Sequence, residues 1–187
     1  MLLLLTLLLF ATTYLRSQPA ADLPEGFTYQ TDDFTGDTWL ASDYLPISRN
    51  SLGKKKASYW KFWQGSSGQR YLTLTVDQVP RYALFTDDHA LYVKFAGGQI
   101  AEFRLPEGAE AVIAEDGVGT PGGLPSAVPG IVLTFAISAA ELAGFVERPV
   151  VALRIETTES FVTVDTKSNL AAAVQERAAA FARLTAE

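Results

Sequence analysis

The sequence predicts a mainly β (α+β) fold: an antiparallel β-sandwich or strongly curved sheet, with a C-terminal α-helix packed on one face. Three observations predict it. Apolar and polar residues alternate with a period of two in short segments. Clusters of Gly, Pro, Asp and Ser separate those segments. The final stretch changes to alanine-rich helical spacing.

Taken in order, "FTYQTDDFTGDTWLASDYL" offers strands over Phe27–Asp32 and Thr38–Tyr44 around an Asp/Gly turn. "SYWKFW" and "RYLTLTVD" form the next pair, joined through Gly65, Ser66, Ser67 and Gly68. In the second of these, Leu72, Leu74 and Val76 point one way, and Tyr71, Thr73 and Thr75 the other. "ALYVKFAGGQIAEFRL" is the clearest hairpin, since Gly97 and Gly98 supply the positive φ that a two-residue turn demands. A short strand is expected over Glu110–Ala114, followed by a glycine- and proline-rich loop over residues 117–130. "IVLTFAIS" is apolar enough for a strand covered on both faces.

Ser138 and Glu141 have capping-box spacing, and a short helix is expected over 139–144, closed by Gly144 and Pro149. "VVALRIET" and "FVTVDT" make a last hairpin, with Arg154 facing outward beside Val150 and Ala152. A helix over 169–186, capped by Ser168, keeps Leu170, Val174, Ala178, Phe181 and Leu184 on one face.

A chain of 187 residues fits one domain after a leader, with residues 1–21 as the leader and 22–187 as the domain. From Leu2 to Leu15 the sequence is leucine-dominated and uncharged. That is the length of a signal-peptide core and short for a membrane span. Export to the periplasm or beyond is expected, with membrane association through residues 2–15 if the leader is not cleaved. The absence of cysteine excludes disulfides, thiolate catalysis and cysteine metal sites. A formal net charge of −6 argues against a nucleic-acid partner.

The search for catalytic chemistry returns mainly absences. His89 is the one histidine, in "TDDHAL", and reads as a turn residue; with Asp87 or Asp88 it could serve a hydrolase only if a serine were brought beside it. Asp32, Asp33 and Asp37 surround Gly36 but lack the spacing of a calcium loop, and aspartates populate turns for backbone reasons. Glu115 and Asp116 have no partner carboxylate that would make a glycosidase pair. No catalytic residue, cofactor or metal is therefore expected.

The remaining candidate is "KKKASYWKFWQGSSG". Alternation places Trp60 and Phe62 in the core and Tyr59, Lys61 and Trp63 on the opposite face, with Lys54, Lys55 and Lys56 in the loop before the strand. Three readings stand for Tyr59, Lys61 and Trp63. The C-terminal helix covers them, or they form a platform that stacks on sugar rings, or they meet an anionic lipid surface.

The order of elements, from Asp33-Phe34-Thr35-Gly36 through the hairpins to the helix after "IS", the "LRIET" strand and the terminal helix, resembles small uncharacterised bacterial β-domain proteins, often from the envelope, that form no named family. The resemblance implies a β-rich exported protein and carries over no functional residue. The function expected is that of a non-enzymatic binding or interaction module, its partner a glycan, a lipid or an envelope protein. The alternative is a cupped sheet holding a small apolar or lipid-like ligand under the 117–130 loop, with a hydrolase third.

Overall fold

The strands form two antiparallel sheets that close on one core. The computed structural model describes residues 23–48, 58–77, 84–114 and 130–186. The expected leader, Lys54 to Lys56, Glu115, Asp116 and the expected 117–130 loop lie outside the described residues, except Gly130, which opens β9. The larger sheet contains β1 (Phe27–Thr31), β2 (Thr38–Ser42), β3 (Leu45–Ser48), β4 (Ser58–Gln64), β5 (Arg70–Asp77), β8 (Val112–Ala114) and β9 (Gly130–Ile137). Its order is β1-β2-β4-β5-β9-β8, with β3 also paired to β4. The smaller sheet, in the order β11-β10-β6-β7, contains β6 (Leu91–Phe95), β7 (Ile100–Phe103), β10 (Val150–Glu156) and β11 (Phe161–Asp165). The helices among the described residues are α1 (Ala139–Glu147) and α2 (Ser168–Leu184).

The core lies between the sheets. Trp60, Phe62, Leu72, Leu74, Ile131, Leu133 and Phe135 come from the larger sheet, and Leu91, Val93, Phe95, Leu153 and Ile155 from the smaller. Burying each such side chain contributes roughly 1.5–3 kcal/mol, so the alternation itself is the main determinant of the fold. Helix α1 carries the chain from β9 to β10, and its Phe145 is fully buried. That ring meets Trp60 and Phe62 of one sheet and Phe95 and Phe103 of the other. Gly97 and Gly98 do take positive φ, 88° and 90°, but the turn has three residues, Ala96 to Gly98, rather than two, since the Phe95 N–H donates to the Gln99 carbonyl at 2.9 Å.

The capping box of α1 is present: the Glu141 N–H donates to Ser138 Oγ at 3.2 Å and the Ser138 N–H to Glu141 Oε2 at 2.7 Å. This helix does not stop at Gly144 but runs on to Glu147. A glycine inside a helix costs about 1 kcal/mol relative to alanine, less than burial of Phe145 returns. A Cβ at Gly144 would lie 3.6 Å from the Phe95 ring, an ordinary contact. Gly144→Ala should therefore stabilise the fold by about 0.5–1 kcal/mol, read as a higher midpoint in urea with an unchanged slope.

Three other expectations are corrected. Helix α2 starts at Ser168 itself, so Ser168 does not cap it; Lys167 occupies the cap position without a side-chain bond. Strand β2 ends at Ser42, and β3 forms where no strand was expected because it contains Pro46. A proline is tolerated there because β3 is paired on one side only, to β4. Val150 is buried and Val151 exposed, the reverse of simple alternation. The register between β10 and β6 slips between Val150 and Ala152, and the bulge turns Val150 inward. Arg154 does face outward, its guanidinium 4.7 Å from the Phe161 ring centre.

Helix α2 packs against α1, β3, β4 and β10. Its Phe181 stacks on Phe62 at 5.7 Å and on Phe27 at 6.5 Å. The helix therefore sits on the Trp60/Phe62 side of β4. No helix among the described residues is long and apolar enough to cross a membrane.

Candidate ligand-binding face

Because α2 takes the core side of β4, it does not cover Tyr59, Lys61 and Trp63. The reading in which it does is overturned: Phe62 and Trp60 give the larger apolar surface, and the helix stripe buries itself there. The opposite face of the larger sheet belongs to Tyr59, Lys61 and Trp63 of β4. Register sets Thr75, Thr73 and Tyr71 of β5 beside them. Val132, Thr134 and Ala136 of β9 continue the same rows.

Trp63 and Tyr71, directly opposite each other, stack with centroids 4.1 Å apart and planes 17° from parallel. Both are half-buried. The position a Cβ would take at Gly65 is 3.9 Å from each ring, so the pair reaches to the β4–β5 hairpin end. Trp63 Nε1 donates to Thr73 Oγ1 at 3.0 Å, and Thr73 Oγ1 is 3.0 Å from Thr134 Oγ1. Indole and hydroxyls thus form a bonded run across three strands. On the side away from Trp63, the residue opposite Tyr71 is Ala136, exposed and too small to cover the phenol ring.

Lys61 lies next along β4. Its ammonium is 5.4 Å from the centre of the Tyr44 ring, a cation–π approach. Partial burial pulls the Lys61 pKa below its ordinary value, and the Asp43 carboxylate works in the opposite direction. Burial raises the pKa of the Tyr44 phenol. Tyr59 is half-buried, opposite Pro46 on one side and Thr75 on the other.

Tyr71 and Tyr44 belong to this face although neither was singled out as a contact residue. Hairpin register is the signal for Tyr71: pairing Gln64 with Arg70 sets Tyr71 opposite Trp63. The sequence predicts Tyr44 at the end of a strand over Thr38–Tyr44, but β2 stops at Ser42 and Tyr44 lies in the short connection to β3.

His89, Asp87, Asp32 and Asp37, weighed for catalysis or metal binding, are occupied locally. His89 Nδ1 accepts from the Thr86 N–H at 3.2 Å and lies 2.9 Å from Thr86 Oγ1. Accepting from a backbone N–H places the neutral ring's proton on Nε2, the opposite tautomer from a triad histidine. Asp87 Oδ2 accepts from the Gly108 N–H at 2.6 Å. Asp32 Oδ1 accepts from the backbone N–H groups of Phe34 and Thr35, which lower its pKa, Thr35 most. Asp37 accepts from the Thr35 and Ser66 hydroxyls. Among the described residues no cluster of three His, Asp or Glu side chains is placed to hold a metal ion.

Between the sheets, Trp60, Phe62, Phe85, Phe95, Phe135, Phe145 and Phe181 pack together, each at most 1% exposed.

The chain matches no protein family, and no significant match is found among curated proteins or solved structures.

Proposed function

We propose that the protein is an exported, non-enzymatic binding module of a bacterial envelope that takes a glycan on the outer face of its larger sheet, with Trp63, Tyr71, Lys61 and Tyr59 as contacts. The observation that carries this reading is the Trp63–Tyr71 stack, kept out of the core and left half-exposed beside the small Ala136. A pyranose presents an apolar C–H face ringed by hydroxyls. The Tyr71 ring offers a complementary apolar surface, and the Thr134 hydroxyl and the Lys61 ammonium offer hydrogen bonds at its margin. The leucine-rich leader supports export.

A glycan array followed by titration calorimetry tests the binding reading. Tyr71→Ala should weaken a glycan hit at least about tenfold, the equivalent of about 1.4 kcal/mol, with the fold retained. Failure to bind any glycan, or a hit that Tyr71→Ala leaves intact, removes this reading. Fractionation with mass spectrometry of the mature amino terminus tests export separately.

A further inference from the structure

Among the described residues five strands pair on one side only, β1, β3, β7, β8 and β11; β3 contains Pro46, and three of the others are also guarded. Edge β7 contains Glu102, ion-paired at 2.7 Å to Arg104. Edge β11 contains Asp165 and lies beside β3. Edge β8 has only three residues. Charge and shortness are the usual protections against pairing with another chain.

Edge β1 has neither. Its five residues, Phe-Thr-Tyr-Gln-Thr, include no charge and no proline, and its register with β2 runs without a break. All but Phe27 are exposed, Tyr29 at 46%. The ladder parity fixes which backbone groups look outward. The Asp32 N–H donates to the Asp37 carbonyl and the Asp43 N–H to the Gly26 carbonyl, so the even-numbered residues of β1 direct their backbone groups at β2. Tyr29 and Thr31 therefore direct their N–H and C=O groups away from the sheet. At Phe27 the N–H already donates to the Pro24 carbonyl at 3.2 Å, which ends the open edge.

We propose that β1 pairs with the β1 strand of a second copy, antiparallel about a two-fold axis at Gln30, and so joins the two larger sheets edge to edge. In that register Tyr29 of each copy exchanges both backbone hydrogen bonds with Thr31 of the other, using the outward groups of both residues. The Tyr29 side chain gains a β-branched cross-strand neighbour, a favourable pair. No charge opposes the approach within the strand. A second copy is the occupant because the outward donors and acceptors of Tyr29 and Thr31 complement those of the same strand about this axis, with no charged side chain in either strand. The axis is perpendicular to the sheet, so the outer faces of both copies look the same way, and a multivalent ligand would meet two sites at once.

The full-length chain is tested by sedimentation velocity over a concentration series, with hydrogen exchange at single-residue resolution. A dimer is expected, with the Tyr29 and Thr31 amides protected more strongly as concentration rises. Gln30→Glu sets two carboxylates against each other at the axis and keeps an acceptor for Trp39 Nε1, which bonds Gln30 at 2.6 Å. It should weaken the dimer at least tenfold at neutral pH and restore it in acid. Tyr29→Pro removes one outward N–H and no bond to β2, and should give a monomer with unchanged circular dichroism. A wild-type monomer throughout, an oligomer that both variants leave intact, or amide protection independent of concentration each overturns the proposal.

Discussion

Phe145→Ala should remove about 3–5 kcal/mol of folding stability, the usual range for a buried phenylalanine. Small domains have about 5–15 kcal/mol in total, so the variant should unfold at a markedly lower urea midpoint. The size of the effect follows from position. Phe145 is fully buried and meets Trp60, Phe62 and Phe95 with centroids 5.4, 5.6 and 5.3 Å away and rings near perpendicular. Each edge-to-face pair adds about 0.5–1.5 kcal/mol beyond area burial. One side chain therefore joins the two sheets through the helix that connects them. Phe145→Leu fills most of the volume and should cost clearly less. Phe34→Ala is the control, since Phe34 is 99% exposed on the β1–β2 turn and its loss should change stability by less than about 0.5 kcal/mol. Equal losses for Phe145→Ala and Phe34→Ala would refute this account.

The second large effect is expected at Arg70, the first residue of β5. Its Nε donates to Thr185 Oγ1 at 3.0 Å, and a second guanidinium nitrogen donates to the Thr185 carbonyl. Thr185 is 2% exposed and ends α2. The arginine thus satisfies a terminal carbonyl and places a positive charge at the negative end of the helix dipole. Arg70→Met keeps the aliphatic stem and removes the donors, and should cost about 1.5–3 kcal/mol. The distinguishing readout is local: amide protection should fall in the last turn of α2 before it falls in β4 or β5. Uniform loss across the protein would mean that Arg70 acts through packing alone.

How much of this was legible in the sequence depends on the range of the interaction. Strands β4 and β5 were readable because their alternation is local and their hairpin sits between Gly65 and Gly68. The split of the strands into two sheets was not, because β8 and β9 return to the larger sheet after β6 and β7 have built the smaller one. Pro46 hid β3, and the bulge at Val150 reversed two valines that alternation had assigned. Helix α1 passed through Gly144 because burial of Phe145, a tertiary effect, outweighs a local propensity. At the candidate face, Tyr59, Lys61 and Trp63 were placed on the correct side of β4, while the face that α2 covers depended on packing. Tyr71 entered only through its cross-strand partner.

The pairing of β5 with β9 has a kinetic consequence. These strands are joined along their full length, with Tyr71 opposite Ala136 and Asp77 opposite Gly130. The centre of the larger sheet therefore waits for a segment synthesised long after β4 and β5 have emerged. Until then β5 has one open side and its apolar residues lack their partners. Loop closure over such a span precedes any reward from the contacts, so folding should be slow, on the order of milliseconds to seconds.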